Sequence, residues 1–356
     1  MREGIPMFIR PHTLSLITTH RCTAACDHCC FGCTPDIPMS RSIPVERMRG
    51  LIDEAATMPS MKVVVFTGGE CFLFGRDLVE LVRHATERGL ATRCVTNGYW
   101  ARTRKAARKR LGELREAGLG ELNLSTGSFH ARYVPAERIV HAAAVAAELG
   151  LGTLVNAEVY AESDFDIDAI TEHEELAGHI RSGRLRVQRN VWMTNDWGEQ
   201  EISHDDRASR FREENKTGCD TVLNVLTVTP DQDLVACCGL TQELIPELHL
   251  GSVADRPLTE VVERTPDDFL KIWIHVEGPE RVLEFVKRHV PDYELPTDSV
   301  HPCQTCLHLH RDETARRVLR EHYRSEEDRV TDLYLAGIAS QAVRNRTLPA
   351  FSTAEN

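Results

Sequence analysis

The sequence has no apolar run near the about 18 residues that a membrane-spanning helix needs. Its first eleven residues, Met1 to Pro11, carry a few positive charges with no apolar core behind them, so no signal peptide is read there. It has no internal repeat and no low-complexity tract. These absences argue against a membrane enzyme, a secreted precursor and a solenoid, and a cytoplasmic protein is expected. Positive charge is also in deficit. The net charge of −12 repels phosphate backbones, so nucleic acid is not an expected partner, and acidity of this kind asks for no more than solubility. With 356 residues, 42% of them hydrophobic, the chain is long enough for one large domain or a domain with an appendage.

Cysteine, in contrast, is abundant. Twelve is a high count for a chain expected in a reducing compartment, where thiols more often bind metal or act catalytically than pair. They cluster. Cys22, Cys26, Cys29, Cys30 and Cys33 share one short segment. Cys219, Cys237, Cys238, Cys303 and Cys306 lie in the last 140 residues, and Cys71 and Cys94 stand apart.

Strand-like and helix-like segments alternate through the first two-thirds. Strands are expected at Thr13–Thr19, Lys62–Thr67, Ala91–Thr96, Glu121–Thr126, Leu151–Tyr160 and Leu185–Asn190. Helices are expected at Val45–Thr57, Arg76–Arg88, Ala101–Ala117, Pro135–Leu149 and Asp166–His179. Such alternation implies parallel strands with crossover helices. Six units fall short of an eight-fold barrel, so an α/β fold of the partial (β/α)6 TIM-like kind is expected, with a flat doubly wound sheet as the alternative. From Trp192 the pattern changes. Residues 195–215 are polar and read as a linker. Val222–Thr229 and Leu234–Cys237 flank Pro230-Asp231-Gln232-Asp233 and read as a hairpin. Leu258–Thr265, Asp267–Val276, Pro279–Val290 and Asp312–Ala342 look helical, and the last dozen residues read as loose. The division is residues 1–191, a linker over 192–218, a cysteine-bearing unit over 219–310, and a helix and tail over 311–356.

Cys22-x3-Cys26-x2-Cys29 can hold three irons of a [4Fe–4S] cube. The fourth iron then lacks a protein ligand, the open position that direct binding of a substrate or cofactor requires. Cys26, Cys30 and Cys33 have the same spacing. The first register is preferred because Cys22 follows directly on the first strand, at the face where (β/α) barrels place their sites, and because the residue before Cys29 is the aromatic His28. A zinc site closed by Cys22, Cys26, Cys29 and Cys33 is the alternative.

The sequence resembles the radical S-adenosylmethionine (SAM) superfamily on two motifs: Cys22-x3-Cys26-x2-Cys29 after the first strand, and Thr67-Gly68-Gly69-Glu70 after the second. The resemblance covers roughly the first 190 residues. It implies that SAM chelates the open iron, that backbone at Gly68, Gly69 and Glu70 meets the SAM amino group, and that the 5′-deoxyadenosyl radical takes a hydrogen atom from the substrate. Glycine lets main chain approach closely, and a carboxylate suits an ammonium. His28, Asn97, Ser125, Thr126, Asn156 and Glu158 are further expected SAM contacts. A helix cap or turn role is the plain reading of several of them. An electron donor such as flavodoxin or ferredoxin is implied.

Cys219, Cys237, Cys303 and Cys306 are four further thiolates, enough to close a second [4Fe–4S] cluster. Together with Leu250-Gly251-Ser252-Val253 and Pro257-Leu258, they resemble the twitch domain, a shortened SPASM extension of α+β type. His310 as an unusual ligand, or zinc in a four-thiolate site, are the alternatives. An auxiliary cluster would favour net oxidation of the substrate. Cys238, beside Cys237, is the candidate catalytic thiol: it could return a hydrogen atom to a substrate radical, as in some peptide epimerases, or be a small buried residue.

Family resemblance leads to two substrate classes: a ribosomally made peptide that is crosslinked or epimerised, or a small molecule such as an aminocyclitol or sugar that is dehydrogenated. No leader-binding module precedes Cys22, so a separate leader-binding protein is the expected partner for a peptide. Arg102–Arg110 is the one local basic segment, either a leader contact or a solvated helix face. A zinc-binding scaffold without enzymatic activity is the remaining alternative.

Overall fold

Period-two runs of β-branched and apolar residues build the first six strands. They are β1 (Thr13–Ile17), β2 (Val63–Thr67), β3 (Ala91–Thr96), β4 (Glu121–Thr126), β5 (Gly152–Val159) and β6 (Leu185–Val191). Helices α1 (Val45–Ala56), α2 (Arg76–Glu87), α3 (Arg104–Glu116), α4 (Ser128–Ala131), α5 (Ala136–Glu148), α6 (Asp168–Thr171) and α7 (Glu174–Arg181) lie between them. The computed structural model describes residues 10–161, 163–193, 208–264 and 268–347. Local chemistry sets the helix ends. The Thr103 hydroxyl accepts from the Ala106 amide to open α3, and Gly89 at φ +77 follows α2.

β1 to β6 pair in parallel, in the order β6-β5-β4-β3-β2-β1. Three further strands extend the same sheet: β7 (Val225–Val228), β8 (Asp233–Val235) and β9 (His249–Ser252). β7 runs parallel to β1, and β8 and β9 are antiparallel. The sheet runs from β6 to β9 without closing, so the unclosed barrel-like α/β form expected from the alternation is present. The hairpin expected in a separate unit is instead continuous with the first sheet. Leu226 and Val228 on β7 and Leu234 on β8 enter the same apolar core as β1 and β2, which supplies the reason.

Side chains alternate across each strand. Cys94, Leu122, Leu124 and Val155 join the core that also contains residues of α1, α2, α3 and α5. Arg93, Val95, Asn123, Ser125, Leu154 and Asn156 point the other way, so the inner face is largely polar.

After β9 come α8 (Leu258–Glu263), α9 (Phe269–Glu277), α10 (Pro279–His289), α11 (Pro302–Arg311), α12 (Glu313–His322) and α13 (Arg324–Thr347). Trp273, Val282, Leu283, Phe285, Leu309 and Val318 form a second core. Three expectations change here. The acidic helix expected over Asp166–His179 is two pieces, because His173 takes an extended ψ and its ring nitrogen accepts from the Glu175 amide to start α7. The single charged helix over Asp312–Ala342 is also two, α12 and α13, with a break at Tyr323. Cys303 and Cys306 lie on a helix the pattern did not show, announced by Pro302 in its first turn and a capping box between His301 and Gln304. The expected linker over 192–218 lies partly outside the described residues, at 194–207, as does most of the expected loose tail.

Candidate active site

Cys22, Cys26 and Cys29 sit in the loop that leaves β1. Cys22 is tied at both ends: its amide donates to the Thr34 carbonyl at 3.1 Å, and its thiol to the Gly69 carbonyl at 3.2 Å. The Gly68-Gly69 turn after β2 is pressed against the start of this loop. A Cβ on Gly69 would stand 2.3 Å from the Arg21 carbonyl oxygen, and one on Gly68 2.6 Å from that of Thr19. Gly68 is also at φ +124, where a side chain is strained. The two motifs seen in the sequence therefore pack backbone to backbone. The glycines allow that approach between chain segments.

Glu70 is fully buried, and its carboxylate is committed within the protein. Oε1 accepts from the Phe72 amide at 3.0 Å and the Thr96 hydroxyl at 2.8 Å, and Oε2 from the Asn97 amide at 3.0 Å. This differs from a carboxylate turned toward an ammonium: Glu70 ties the end of β3 to the turn after β2. Burial lifts its pKa from the ordinary 4.5 to about 7, against the pull of those hydrogen bonds. Asn97 passes the restraint on. Its Nδ2 donates to Thr23 Oγ1 at 3.0 Å and lies 3.5 Å from Cys22 Sγ.

The sulfurs are crowded and metal-like in their electrostatics. Burial, with the charge of Glu70 next, raises the Cys22 thiol to about 12. Burial followed by the charges of Cys22 and Cys29 raises Cys26 further. Cys29 is pulled down to about 6 by a hydrogen bond from the Cys33 thiol. Burial makes Cys22 and Cys26 weaker acids, a penalty on their thiolates that bound iron would relieve.

Past β4, Gly127 at φ +135 opens a short helix whose residues meet β5. Glu158, 3% exposed, accepts from the Phe129 amide at 2.9 Å and contacts His130 Nδ1 at 3.2 Å. A Cβ on Gly127 would fall 1.8 Å from the Glu158 Oε2, so only glycine leaves room for this carboxylate. His28 stacks on Phe129 with ring centroids 4.6 Å apart, and meets His130 and Trp192 edge-on. Burial drives His28 well below its ordinary range, so the ring is neutral. Its Nδ1 is buried without a partner. Ligand atoms of His28, His130 and Glu158 lie within 4.8 Å of one another. His130 and Phe129, in the segment Thr126-Gly127-Ser128-Phe129-His130 that leaves β4 at a strand end, thus form one corner with His28 and Glu158. Asn156 accepts from Asn190 Nδ2 at 3.3 Å on the inner face, beside the cross-strand Ser125. Thr126 is fully buried, and its hydroxyl has no partner.

The second thiol set converges as well. Cys219, Cys237, Cys303 and Cys306 line one cavity with Gly239, Thr241 and Ile274. A Cβ at Gly239 would stand 3.0 Å from Cys303 Sγ, so glycine keeps the space beside that sulfur clear. The Leu240 amide donates to Cys303 Sγ at 3.3 Å. His310 Nδ1 is bound to the Cys306 carbonyl at 2.8 Å and is 3.7 Å from its sulfur. Cys238 is solvent-exposed. Its thiol is nevertheless raised to about 11, first by desolvation, then by the charge of Cys219, against the pull of Arg93 on the inner face of β3. Cys238 is not among the residues that line the cavity of the second thiol set, although it directly follows Cys237, which is.

A family model for the Radical SAM superfamily matches residues 16–157, the span holding the three-cysteine loop and every strand through most of β5. Those residues are a radical SAM domain. YydG of Bacillus subtilis (strain 168), a protein named for peptide biosynthesis, is 25% identical over 83% of this chain and 90% of its own length. The PqqA peptide cyclase of Rhodopseudomonas palustris is 33% identical over 34% of this chain, and the chain spans about 29% of that relative's length. Among solved structures, anSMEcpe with bound AdoMet is 13% identical with a TM-score of 0.49, covering 92% of this chain and all of that one. SuiB of Streptococcus suis bound to S-adenosylmethionine is 13% identical with a TM-score of 0.45, covering 72% and 66%.

SAM and a [4Fe–4S] cluster are the cofactors of this radical SAM domain. The residues present fit them: three mutually repelling thiols, a strand-end carboxylate at Glu158 and an unpartnered buried imidazole nitrogen at His28. No helix among the described residues is long and apolar enough to cross a membrane. Three of the six basic residues in Arg102–Arg110 are engaged within the protein. Arg104 pairs with Glu148 and Glu175, Arg108 with Glu148, and Arg110 donates to the Phe72 and Gly75 carbonyls.

Proposed function

We propose that this enzyme modifies a ribosomally made peptide, removing a hydrogen atom from one residue and returning one from Cys238, so that the centre is epimerised. The observation that carries the reading is the placement of Cys238: an exposed thiol directly following Cys237 of the second thiol set. Likeness to YydG along most of both chains supports a peptide as the substrate.

Cys22, Cys26 and Cys29 would hold the first cluster, with Asn97 and Gly69 fixing the position of Cys22. His28, Ser125, Thr126, Asn156 and Glu158 would contact SAM around the ends of β4 and β5. When bound, cluster and SAM supply the 5′-deoxyadenosyl radical that takes the substrate hydrogen. The inner face then does three things. It holds the peptide against Arg93, Asn123 and Asn190, whose polar atoms suit main-chain and side-chain amides. It keeps bulk water from the radical. It presents the Cys238 thiol, whose S–H bond breaks as the new C–H bond forms. The remaining thiyl sulfur needs one electron and one proton. An external donor of the flavodoxin or ferredoxin class supplies the first, and water at the exposed side chain the second. A protonated thiol can give a hydrogen atom and a thiolate cannot, which is why a raised thiol suits this role.

Cys219, Cys237, Cys303 and Cys306 would hold an auxiliary [4Fe–4S] cluster in their shared cavity. Such a cluster beside the substrate would also suit a net oxidation. The test is to incubate or co-express the enzyme with the short peptide encoded beside its gene, in deuterated water, and read the product by mass spectrometry. Gain of one solvent deuterium with no other change, abolished in Cys238→Ala, is expected. Loss of two hydrogens, unaffected by Cys238→Ala, would establish oxidative crosslinking instead. No change in any adjacent-gene peptide, together with dehydrogenation of an aminocyclitol or sugar, would overturn the peptide reading.

A further inference from the structure

The loop that leaves β1 has little structure of its own between its first cysteines. Among the described residues, no backbone–backbone hydrogen bond involves Thr23, Ala24 or Ala25. One bond, from the Cys29 amide to the Cys26 carbonyl at 2.9 Å, closes the turn that follows. A main chain tied so sparsely to itself must find its partners in other segments. Asn97 supplies one, through Thr23. Two more come from a single short stretch after α4.

Helix α4 ends at Ala131, and Pro135 opens α5. Phe129 and Val134, 1% and 2% exposed, anchor the chain on either side, and the Val134 amide donates to the His130 carbonyl at 2.9 Å. Arg132 and Tyr133 between them are exposed, yet both reach back to the cysteine loop. The Tyr133 hydroxyl donates to the Ala25 carbonyl at 2.6 Å. Arg132 Nη1 donates to Asp27 Oδ2 at 2.9 Å, and its guanidinium lies 5.3 Å from the centroid of the Phe129 ring. Phe129 stacks on His28, and its amide goes to Glu158. Residues 129–133 therefore hold the loop on both sides of Cys26 and, through Phe129, hold the Glu158 corner as well.

An exposed ion pair and one surface hydroxyl add little to the stability of the chain. Their worth lies in placement. A ligand gripped at two ends binds best when the two grips are already at the right separation. We propose that Arg132 and Tyr133 are positioning residues for SAM: they fix the loop around Cys26 relative to the Glu158 corner, so that the iron-binding and nucleoside ends of SAM are met together. The inference rests on the reading of Cys22, Cys26 and Cys29 as cluster ligands and of Glu158 as a SAM contact.

The experiment compares full-length enzyme with Tyr133→Phe, Arg132→Gln, Arg132→Lys and the combined Tyr133→Phe and Arg132→Gln variant, each reconstituted without oxygen. Iron content is measured. Calorimetry gives the affinity for SAM and for 5′-deoxyadenosine, which lacks the iron-binding end. Iron content is expected to match the parent throughout. SAM affinity should fall about two- to fivefold in Tyr133→Phe and in Arg132→Gln, and about tenfold when they are combined. Arg132→Lys keeps a positive charge facing Asp27 and should stay near the parent. Affinity for 5′-deoxyadenosine should not change in any variant, because it uses one grip only. Undiminished SAM affinity in the combined variant at full iron content would overturn the proposal. So would an equal loss for 5′-deoxyadenosine, which would put the damage in the corner itself. Tyr133→Phe removes one oxygen from a side chain that is 42% exposed, so it decides the matter if the Arg132 variants lose iron. A parent enzyme that carries its irons and binds no SAM would overturn the reading beneath the proposal, and the proposal with it.

Discussion

Asn97, at the end of β3, places its side-chain amide 3.5 Å from the sulfur of Cys22, 75 residues earlier in the chain. The same asparagine gives its backbone amide to Glu70. One buried carboxylate therefore connects the ends of β2 and β3 to the first cysteine of the cluster loop. Three separate loops are tied to one another by hydrogen bonds, and Cys22 is held by groups remote from it in sequence.

Glu70 makes that unit sensitive to pH. Its pKa in the folded chain is raised from 4.5 to about 7 by burial. Between those values the folded chain keeps a proton that the unfolded chain has released, so stability falls as pH rises through the window. The full difference is at most about 3 kcal/mol. Glu70→Gln carries no titrating proton. Thermal unfolding followed from about pH 5 to 8 should show a declining midpoint in the parent and a flatter profile in the variant. Parallel profiles would show that Glu70 does not titrate in this window.

Gly127 is the position with the least tolerance in the candidate SAM corner. Alanine there meets both a positive φ and the Glu158 carboxylate, 1.8 Å from its Cβ. The backbone strain alone costs about 1–3 kcal/mol. Relief requires Glu158 to leave the Phe129 amide. Gly127→Ala should weaken SAM binding at least tenfold, read by calorimetry, with iron content unchanged. Normal SAM affinity would mean that Glu158 does not serve SAM.

The two thiol sets should separate in an iron count. About eight irons per chain are expected for two cubes, and about four after either set is broken. Cys219→Ala or Cys306→Ala should retain SAM cleavage while losing turnover of substrate. Zinc in place of iron at the second set, or an undiminished count in both variants, would remove the auxiliary cluster from the account.

Much of this was legible beforehand because parallel strands buried under helices write strong local patterns. β3 and β4 begin and end where the alternation in Ala91–Thr96 and Glu121–Thr126 does. The cysteine spacing and Gly68-Gly69 marked the loop because metal chemistry and close backbone approach restrict residue choice. What was not legible depends on contacts distant in sequence. The commitment of Glu70 to Thr96 and Asn97 is one such contact, and the pairing of β7 with β1 is another, made across more than 200 residues. The break at His173 was missed because a side-chain cap competes with helix continuation without altering apolar spacing.

The central claim is a three-thiolate iron cube that binds SAM directly, and EPR of the reduced enzyme tests it most directly. Enzyme reconstituted without oxygen and reduced should give a [4Fe–4S] signal that changes when SAM is added, with release of 5′-deoxyadenosine. Cys22→Ala, Cys26→Ala and Cys29→Ala should each lose both responses. A reduced spectrum indifferent to SAM, with no 5′-deoxyadenosine formed, would contradict the account.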